Sequence, residues 1–174
     1  MGDEVGPREM RQAFRDPCGG VMRENSKEQI SLMRFFKAPG FLHGPFDLSK
    51  NIELFEYWGK SDGTVKGRVR FLKGAEGQPD IVHGGAIFTL LDQTMGSSCF
   101  LIEKPSVTAS VKIDYQEKLS VFDICEIVSV PTKIDGKKTY LKSKILVDGR
   151  NICVAEGLFI ETEITREFES KFRA

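Results

Sequence analysis

The sequence lacks the features that assign a chain to several common classes. Its 174 residues carry 25 basic and 25 acidic side chains, and this balance argues against bulk electrostatic binding to nucleic acid or to an anionic membrane. No apolar run approaches the roughly 18 residues that a membrane span needs. The first ten residues carry Asp3 and Glu4 and no apolar stretch, so neither a secretory signal nor a transit peptide is indicated. We therefore expect a soluble cytoplasmic or mitochondrial protein with no membrane span and no nucleic-acid partner.

Cysteine is scarce as well, and the four that occur, Cys18, Cys99, Cys125 and Cys153, form no C-x-x-C pair. Metal-ligand clusters and phosphate-loop signatures are also missing from the sequence, so it predicts neither a metal nor a cofactor. The thiols are predicted to be reduced and mostly buried. Cys99 is interpreted as a packing residue rather than a nucleophile, because no histidine is placed to activate it.

The N-terminal part, residues 1–48, is predicted to be an arm followed by one helix. Ser26 followed by Gln29 resembles a capping box, and apolar residues recur at helical spacing from there to about Lys37. The charged C-terminal residues 166–174 are predicted to be a frayed tail. The remaining residues, 49–165, form a single predicted domain.

Within that domain, alternating apolar and charged residues predict β-strands. Asp135-Gly136 and Asp148-Gly149 predict tight hairpin turns, because glycine adopts positive φ at little cost. The last strands should therefore form an antiparallel meander. The predicted strands cover residues 51–58, 65–73, 106–116, 121–134, 139–147 and 151–163.

One long helix, predicted over residues 84–102, interrupts the strands. Its apolar residues lie nearly all round the helix axis, a pattern typical of a buried helix. Eighteen residues span about 27 Å, the width of a small domain. The sequence thus predicts an α+β fold in which a five- or six-stranded antiparallel sheet wraps round one central helix.

The most informative segment is His83-Gly84-Gly85, which leads directly into this helix. Glycines at a helix start allow close approach to the backbone, and the unpaired N–H groups lie at the positive end of the helix dipole. The Gly85 N–H is therefore a candidate oxyanion-hole donor for a thioester oxygen. A tight turn before a buried helix would explain the same three residues without any chemistry.

Asp92 lies two helical turns further on, with Phe88 four residues before it and Met95 three residues after it. A carboxylate on an apolar flank loses solvation, which suits a general base better than a structural residue. A satisfied structural hydrogen bond is the alternative. Gly85 and Asp92 are separated by about 10 Å along one helix, too far for one reacting carbonyl. If both serve one reaction, Asp92 must come from a second subunit, which implies at least a homodimer.

The segment HGGAIFTLLD and the following strand TASVKIDY resemble the hotdog-fold acyl-CoA thioesterases of the phenylacetate-degradation type, and most nearly the eukaryotic thioesterase-superfamily enzymes that act on fatty acyl-CoA. The resemblance covers roughly residues 50–163. It implies a hotdog fold, an acyl-CoA substrate and a role in lipid metabolism. It also implies a homo-oligomer, either a dimer or a dimer of dimers.

The resemblance implies roles for individual residues. Asp92 would be the base or nucleophile, Thr108 would hold it, and His83, Gly84 and Gly85 would form the oxyanion turn. The strand pattern predicts that Thr108, Ser110, Lys112 and Asp114 share one face, opposite Val107, Ala109, Val111 and Ile113. The residues that would bind or line the site for the substrate are Gly84, Gln78, Phe88, Ser110, Lys112 and Lys142.

The chain also departs from the family pattern. Some family members have an asparagine six residues before the histidine, where this chain has Gly77, and Gln78 would then supply the amide. Lysines on alternating strand positions, Lys142 among them, would meet the CoA phosphates, although solvated strand charges are the commoner explanation. Two rival functions remain: a non-catalytic acyl-CoA-binding protein of the same fold, and a dehydratase acting on enoyl thioesters.

Overall fold

The structure is a computed structural model that describes the backbone of residues 30–31 and the whole of residues 51–166. A single-turn 3-10 helix covers Lys73–Ala75, and a helical turn begins at residue 163. The other elements are β1 (Ile30–Ser31), β2 (Ile52–Gly59), β3 (Val65–Phe71), β4 (Glu76–Gln78), β5 (Ile81–Val82), α1 (Gly84–Leu101), β6 (Ser106–Tyr115), β7 (Ile124–Asp135), β8 (Lys138–Val147) and β9 (Arg150–Glu161).

The main sheet has seven strands in the order β1-β2-β3-β7-β8-β9-β6, and every neighbouring pair is antiparallel. Within residues 51–166, six long strands and one long helix confirm the predicted α+β hotdog architecture. A separate two-stranded ladder of β4 and β5, which was not predicted, leads into the helix. In the described part of the chain, no helix is long and apolar enough to cross a membrane.

The prediction of a helix over residues 26–37 is wrong at the two of these residues that the structure describes. Ile30 and Ser31 form β1, paired with Gly59 and Trp58 of β2. Pairing with the otherwise open edge of β2 supplies backbone hydrogen bonds that outweigh a weak local helical preference. The rest of the predicted helix lies outside the described residues.

Both predicted hairpin turns are present. Asp148 and Gly149 have φ values of 50° and 77°, the positive pair that a two-residue turn matched to strand twist requires. Gly136 has a φ of 57° in the turn between β7 and β8. These turns fix the register of the meander, so that β7, β8 and β9 form one continuous curved surface.

The core lies between that surface and one side of α1. Leu90, Leu91, Met95 and Cys99 are at most 1% exposed and belong to one cluster with side chains from the sheet. The opposite side of α1 is uncovered, and Phe88 there is 40% exposed. The apolar pattern all round the helix predicted complete burial, whereas in the single chain only the sheet-facing side is buried.

An irregularity in β6 changes which way its side chains point. Thr108 pairs with Phe159 and Ser110 pairs with Leu158, so Ala109 is an extra residue that forms a β-bulge. Before the bulge, Thr108 faces the helix. After it, Val111 and Ile113 face the core, and Ser110 and Lys112 face away. The predicted common face for Thr108, Ser110 and Lys112 is therefore wrong, because an extra residue inverts a period-two pattern.

Candidate active site

The start of α1 is held by the strands that lead into it. The His83 N–H donates to the Ala75 carbonyl at 2.8 Å, and the Val82 N–H donates to the Leu119 carbonyl at 2.9 Å. His83 is the N-cap residue, with extended backbone angles. Gly77 of β4 lies against its ring: a Cβ there would come within 3.0 Å of the imidazole. The unpredicted ladder therefore positions the histidine.

The two glycine amides at the helix start differ. The Gly85 N–H donates to His83 Nδ1 at 2.9 Å, so this predicted oxyanion donor is already used within the chain. Among the described residues, the Gly84 N–H has no hydrogen-bond partner. An N-cap side chain normally satisfies the amide two or three residues after it, and this rule explains why the histidine takes Gly85. The available donor is therefore one residue earlier than expected.

Tyr115, at the end of β6, fixes the same turn from the other side. Its hydroxyl donates to the Gly84 carbonyl at 2.9 Å, and a Cβ on Gly84 would lie 3.3 Å from that oxygen. Burial raises the pKa of the Tyr115 phenol, so the group stays protonated as a donor. No role was predicted for Tyr115, although the terminal tyrosine of the strand was part of the family pattern.

Asp92 and Thr108 are brought together as predicted. The Thr108 hydroxyl donates to Asp92 Oδ1 at 2.7 Å, a short bond of the kind that a charged acceptor favours. The bulge at Ala109 makes this contact possible by turning Thr108 towards α1. Asp92 is half-buried in the single chain, on the same uncovered side of the helix as Phe88. The carboxylate therefore has one fixed partner and a face open to a substrate or a second protein chain.

Four predicted substrate-binding residues lie elsewhere in the single chain. Gln78 is exposed in β4. Ser110, Lys112 and Lys142 line a cleft of about 350 Å³ on the sheet face that points away from α1. Lys142 is paired with Glu156 at 3.0 Å, and Lys112 is paired with its neighbour Asp114 at 3.4 Å. The structure does not bring these side chains to Asp92 within one subunit.

The described thiols do not take part in the candidate site. Burial raises the pKa of Cys99 and of Cys125 to about 12, and that of Cys153 to about 11. A thiol with such a pKa is almost fully protonated at neutral pH and is a poor nucleophile. Within residues 51–166, no three His, Cys, Asp or Glu side chains are grouped so that they could hold a metal ion.

Known proteins share parts of this sequence and this fold. Residues 80–154 match the thioesterase superfamily. The chain is 31% identical over 114 residues to the acyl-coenzyme A thioesterase THEM4 of Mus musculus, and the match covers 63% of this chain and 49% of that protein. The chain thus spans about half the length of the curated relative. The predicted resemblance to the hotdog-fold thioesterases is confirmed.

Solved structures agree on the fold. A crystal structure of a thioesterase superfamily protein is 30% identical, with a TM-score of 0.57, and the match covers 60% of this chain and 52% of that one. A thioesterase of Streptococcus pneumoniae, crystallised with coenzyme A, is 24% identical with a TM-score of 0.58, over 65% of this chain and 90% of that one. The second likeness shows a shared fold.

Proposed function

We propose that this chain is an acyl-CoA thioesterase, which hydrolyses acyl-CoA to a free acid and coenzyme A. The observation that carries the proposal is the contact between Asp92 and Thr108 on the open side of a helix whose first glycine amide has no partner among residues 51–166. A fixed carboxylate and a free donor at a helix N-terminus are the two groups that thioester hydrolysis needs.

In this mechanism the thioester carbonyl oxygen accepts a hydrogen bond from the Gly84 N–H. Negative charge that develops on that oxygen is stabilised by the amide and by the positive end of the helix dipole. Asp92 removes a proton from the attacking water, the carbon–sulfur bond breaks, and the proton passes from Asp92 to the departing thiolate. Direct attack by Asp92, followed by hydrolysis of the resulting anhydride, gives the same products. His83 and Tyr115 keep the Gly84 amide in place.

The two groups come from different subunits in this proposal. Gly84 and Asp92 are eight residues apart on one continuous helix, which separates them by about 12 Å. An antiparallel second copy of the helix would bring the Asp92 of the other subunit to the Gly84 amide. Phe88 and Tyr115 are 40% and 52% exposed on this side, and β6 pairs only with β9 among the described strands. These features support a homodimer, or a dimer of dimers, as the active form.

The proposed substrate class rests on the named relative and on the site. THEM4 of Mus musculus is named an acyl-coenzyme A thioesterase. The cleft that contains Lys112 and Lys142 is the predicted contact for the CoA phosphates. Because it opens on the sheet face away from Asp92, those contacts would come from a neighbouring subunit.

The proposal is tested by the release of free thiol from a panel of acyl-CoA thioesters. We expect Asp92→Asn to lower kcat/KM by at least about a thousandfold, since the variant can neither accept the proton nor attack. Asp135→Asn is the matched control: it makes the same chemical change at an exposed carboxylate at the end of β7, where Asp135 pairs with Lys133 at 3.0 Å. Its rate should stay within about twofold of the original. Equal rates for the original chain and Asp92→Asn would reject this mechanism, and binding without hydrolysis by the original chain would favour a non-catalytic acyl-CoA-binding protein.

A further inference from the structure

An apolar cleft of about 330 Å³ lies beside the C-terminal half of α1. Gln93 and Gly96 form its end nearest the candidate site, and Phe100 lies one turn further along the helix. Gln93 adjoins Asp92 in sequence, and Ser106 in the opposite wall precedes Thr108 by two residues. The cleft therefore begins next to the Asp92–Thr108 contact and extends from it along the helix. Its volume is within the usual range for small-molecule sites.

The hydroxyl groups around the cleft all donate to the protein itself. Ser97 donates to the Gln93 carbonyl at 2.9 Å, Ser106 donates to the Lys104 carbonyl at 2.7 Å, and Thr165 donates to the Thr162 carbonyl at 2.7 Å. None of the described residues that line it is charged, and most of the exposed lining is apolar. A ligand that fills the cleft would find hydrocarbon contacts and no free hydroxyl donor. This chemistry suits an alkyl chain.

The outer wall of the cleft is the helical turn that follows β9. Hydrogen bonds at both ends of this turn hold it in position. The Thr162 N–H donates to Thr165 Oγ1 at 2.9 Å, and the Thr165 N–H donates to Thr162 Oγ1 at 3.2 Å, a reciprocal cap. Arg166 donates to the buried Glu161 carboxylate at 2.9 Å. Ile164 of this turn lines the cleft and is 78% exposed. The wall is thus fixed in place, and because the Ile164 side chain is exposed, its replacement is expected to leave the core undisturbed.

Gly96 provides the room on the helix side. A Cβ built there would find its nearest neighbour, a ring atom of Phe159, at 4.0 Å. Glycine in a helix interior is less favourable than alanine, because it loses more backbone freedom on folding. No turn or positive φ requires glycine at this position, so the open space beside it is the feature that its replacement would remove.

We infer that this cleft holds the alkyl chain of the acyl group and that Gly96 sets the chain length that the protein accepts. The inference rests on the proposed function, because it takes the reacting carbonyl to lie at Asp92. A cleft of about 330 Å³ lies within the usual range for small-molecule sites and has room for several methylenes, so thioesters with a fatty acyl chain should bind more tightly than acetyl-CoA.

The test measures binding and hydrolysis separately. Binding of S-ethyl-, S-hexyl- and S-dodecyl-CoA, thioethers that cannot be hydrolysed, is measured by calorimetry for the original chain, Gly96→Ala and Gly96→Leu. Each methylene that enters the cleft should tighten binding about fourfold. Gly96→Leu should weaken S-dodecyl-CoA binding on the order of fiftyfold, by excluding about three methylenes, and leave S-ethyl-CoA unchanged. Gly96→Ala should weaken dodecyl binding only about fourfold, without loss of folding stability.

A second pair of variants tests the opposite wall and does not depend on the helix tolerating leucine. Ile164→Trp should weaken S-dodecyl-CoA binding about tenfold, whereas Ile134→Trp, at an exposed isoleucine of β7 that does not line the cleft, should leave it unchanged. Thiol release from acetyl-, hexanoyl- and dodecanoyl-CoA by the same proteins reports the proposed function.

The outcomes separate the two ideas. In one outcome, binding depends on alkyl length in the original chain, Gly96→Leu and Ile164→Trp abolish this dependence, and no protein hydrolyses the thioesters. That outcome would support the assignment of the cleft and reject the proposed thioesterase function. In another outcome, the original chain hydrolyses the thioesters and both variants have the same chain-length profile as the original chain. That outcome would support the thioesterase function and overturn the assignment of the cleft. Affinity that does not rise with alkyl length would overturn it as well.

Discussion

The two sides of the central helix differ in how far a single chain completes them. The sheet-facing side carries Leu91, Met95 and Cys99, all fully buried. The open side carries Phe88 and Asp92, one exposed and one half-buried. The first side has all its contacts within the chain, and it holds the fold together. The second has few contacts within the chain, and it bears Asp92, the carboxylate that the proposed chemistry uses.

Apolar side chains on one helix can therefore serve two purposes. Hydrophobic side chains all round a helix normally predict burial within one domain. Here the contacts of one half are made within the chain, whereas the other half is uncovered and is assigned by the proposed function to a substrate or a second copy. The comparison can be tested by disturbing each side in turn, and the largest effects belong to the sheet-facing side.

The largest expected effect comes from the buried thiols, all of which belong to the sheet-facing core. Burial raises the folded-state pKa of Cys99 and Cys125 to about 12 and that of Cys153 to about 11, from an ordinary value of 9.0. A raised pKa adds stability that is fully present below pH 9 and is lost as the pH rises towards the folded values. We expect each thiol to lower the free energy of unfolding by about 1.4 kcal/mol per pH unit in that range.

Denaturant titrations from neutral pH to about pH 11 measure this slope. Cys125→Ala removes one titrating thiol, whose sulfur donates to the Val69 carbonyl, and should reduce the slope by one proton. An unfolding free energy that stays constant above pH 9 would show that the thiols are less buried than the structure places them. It would also weaken the contrast between the two sides.

The next effect is a direct comparison of large-to-small substitutions on the two sides. Leu91→Ala should lower the unfolding free energy by about 3 kcal/mol, because it leaves a cavity in a closely packed core. Phe88→Ala should lower it by less than about 1 kcal/mol in a monomeric state, since the ring is 40% exposed in the single chain. Urea denaturation at several protein concentrations separates the two contributions.

The dependence of unfolding on protein concentration separates the two sides further. If the open side is an interface, the unfolding midpoint of the original chain should rise with protein concentration, Phe88→Ala should reduce that dependence, and Leu91→Ala should leave it unchanged. Equal losses for the two variants, independent of concentration, would mean that the two sides of the helix are equally packed within one chain.

The smallest effect concerns the open side alone. Thr108→Val keeps the shape of the side chain and removes the donor to Asp92, so kcat should fall about tenfold to a hundredfold while folding stability changes little. Thr132→Val is the matched control, since Thr132 donates to the Tyr140 carbonyl at an exposed position of β7. Because Thr132 lines the outer cleft, its replacement can change KM but should leave kcat unchanged. Thiol release under saturating substrate distinguishes them. A Thr108→Val rate equal to that of the control would remove the positioning role.

Much of this organisation could be predicted from residue order. The strands and hairpins follow from period-two alternation and from glycine at positive φ, and the long helix follows from its apolar pattern. The pairing of Asp92 with Thr108 came from a family resemblance in the order and spacing of HGG, the aspartate and the strand. The strands, the hairpins and the helix follow from local patterns. The Asp92–Thr108 pairing follows from positions that the resemblance assigns directly.

The remaining features depend on contacts that no local pattern encodes. The Gly85 amide looked free because a helix start has unpaired donors, but the flexible His83 side chain turns back to accept from it. The strand at Ile30–Ser31 forms because an edge of the sheet is available, which a helical spacing of apolar residues does not show. The bulge at Ala109 is a property of two paired strands and is invisible in one of them.

That bulge also has a consequence for how the protein can change over evolutionary time. It divides β6 into two halves whose side chains have different neighbours. Thr108 contacts the helix, whereas Ser110 and Lys112 line the outer cleft. Substitutions beyond the bulge can alter the outer cleft without displacing the threonine. Deleting Ala109 would merge the halves and invert one of them, so this small alanine is expected to tolerate substitution but not loss.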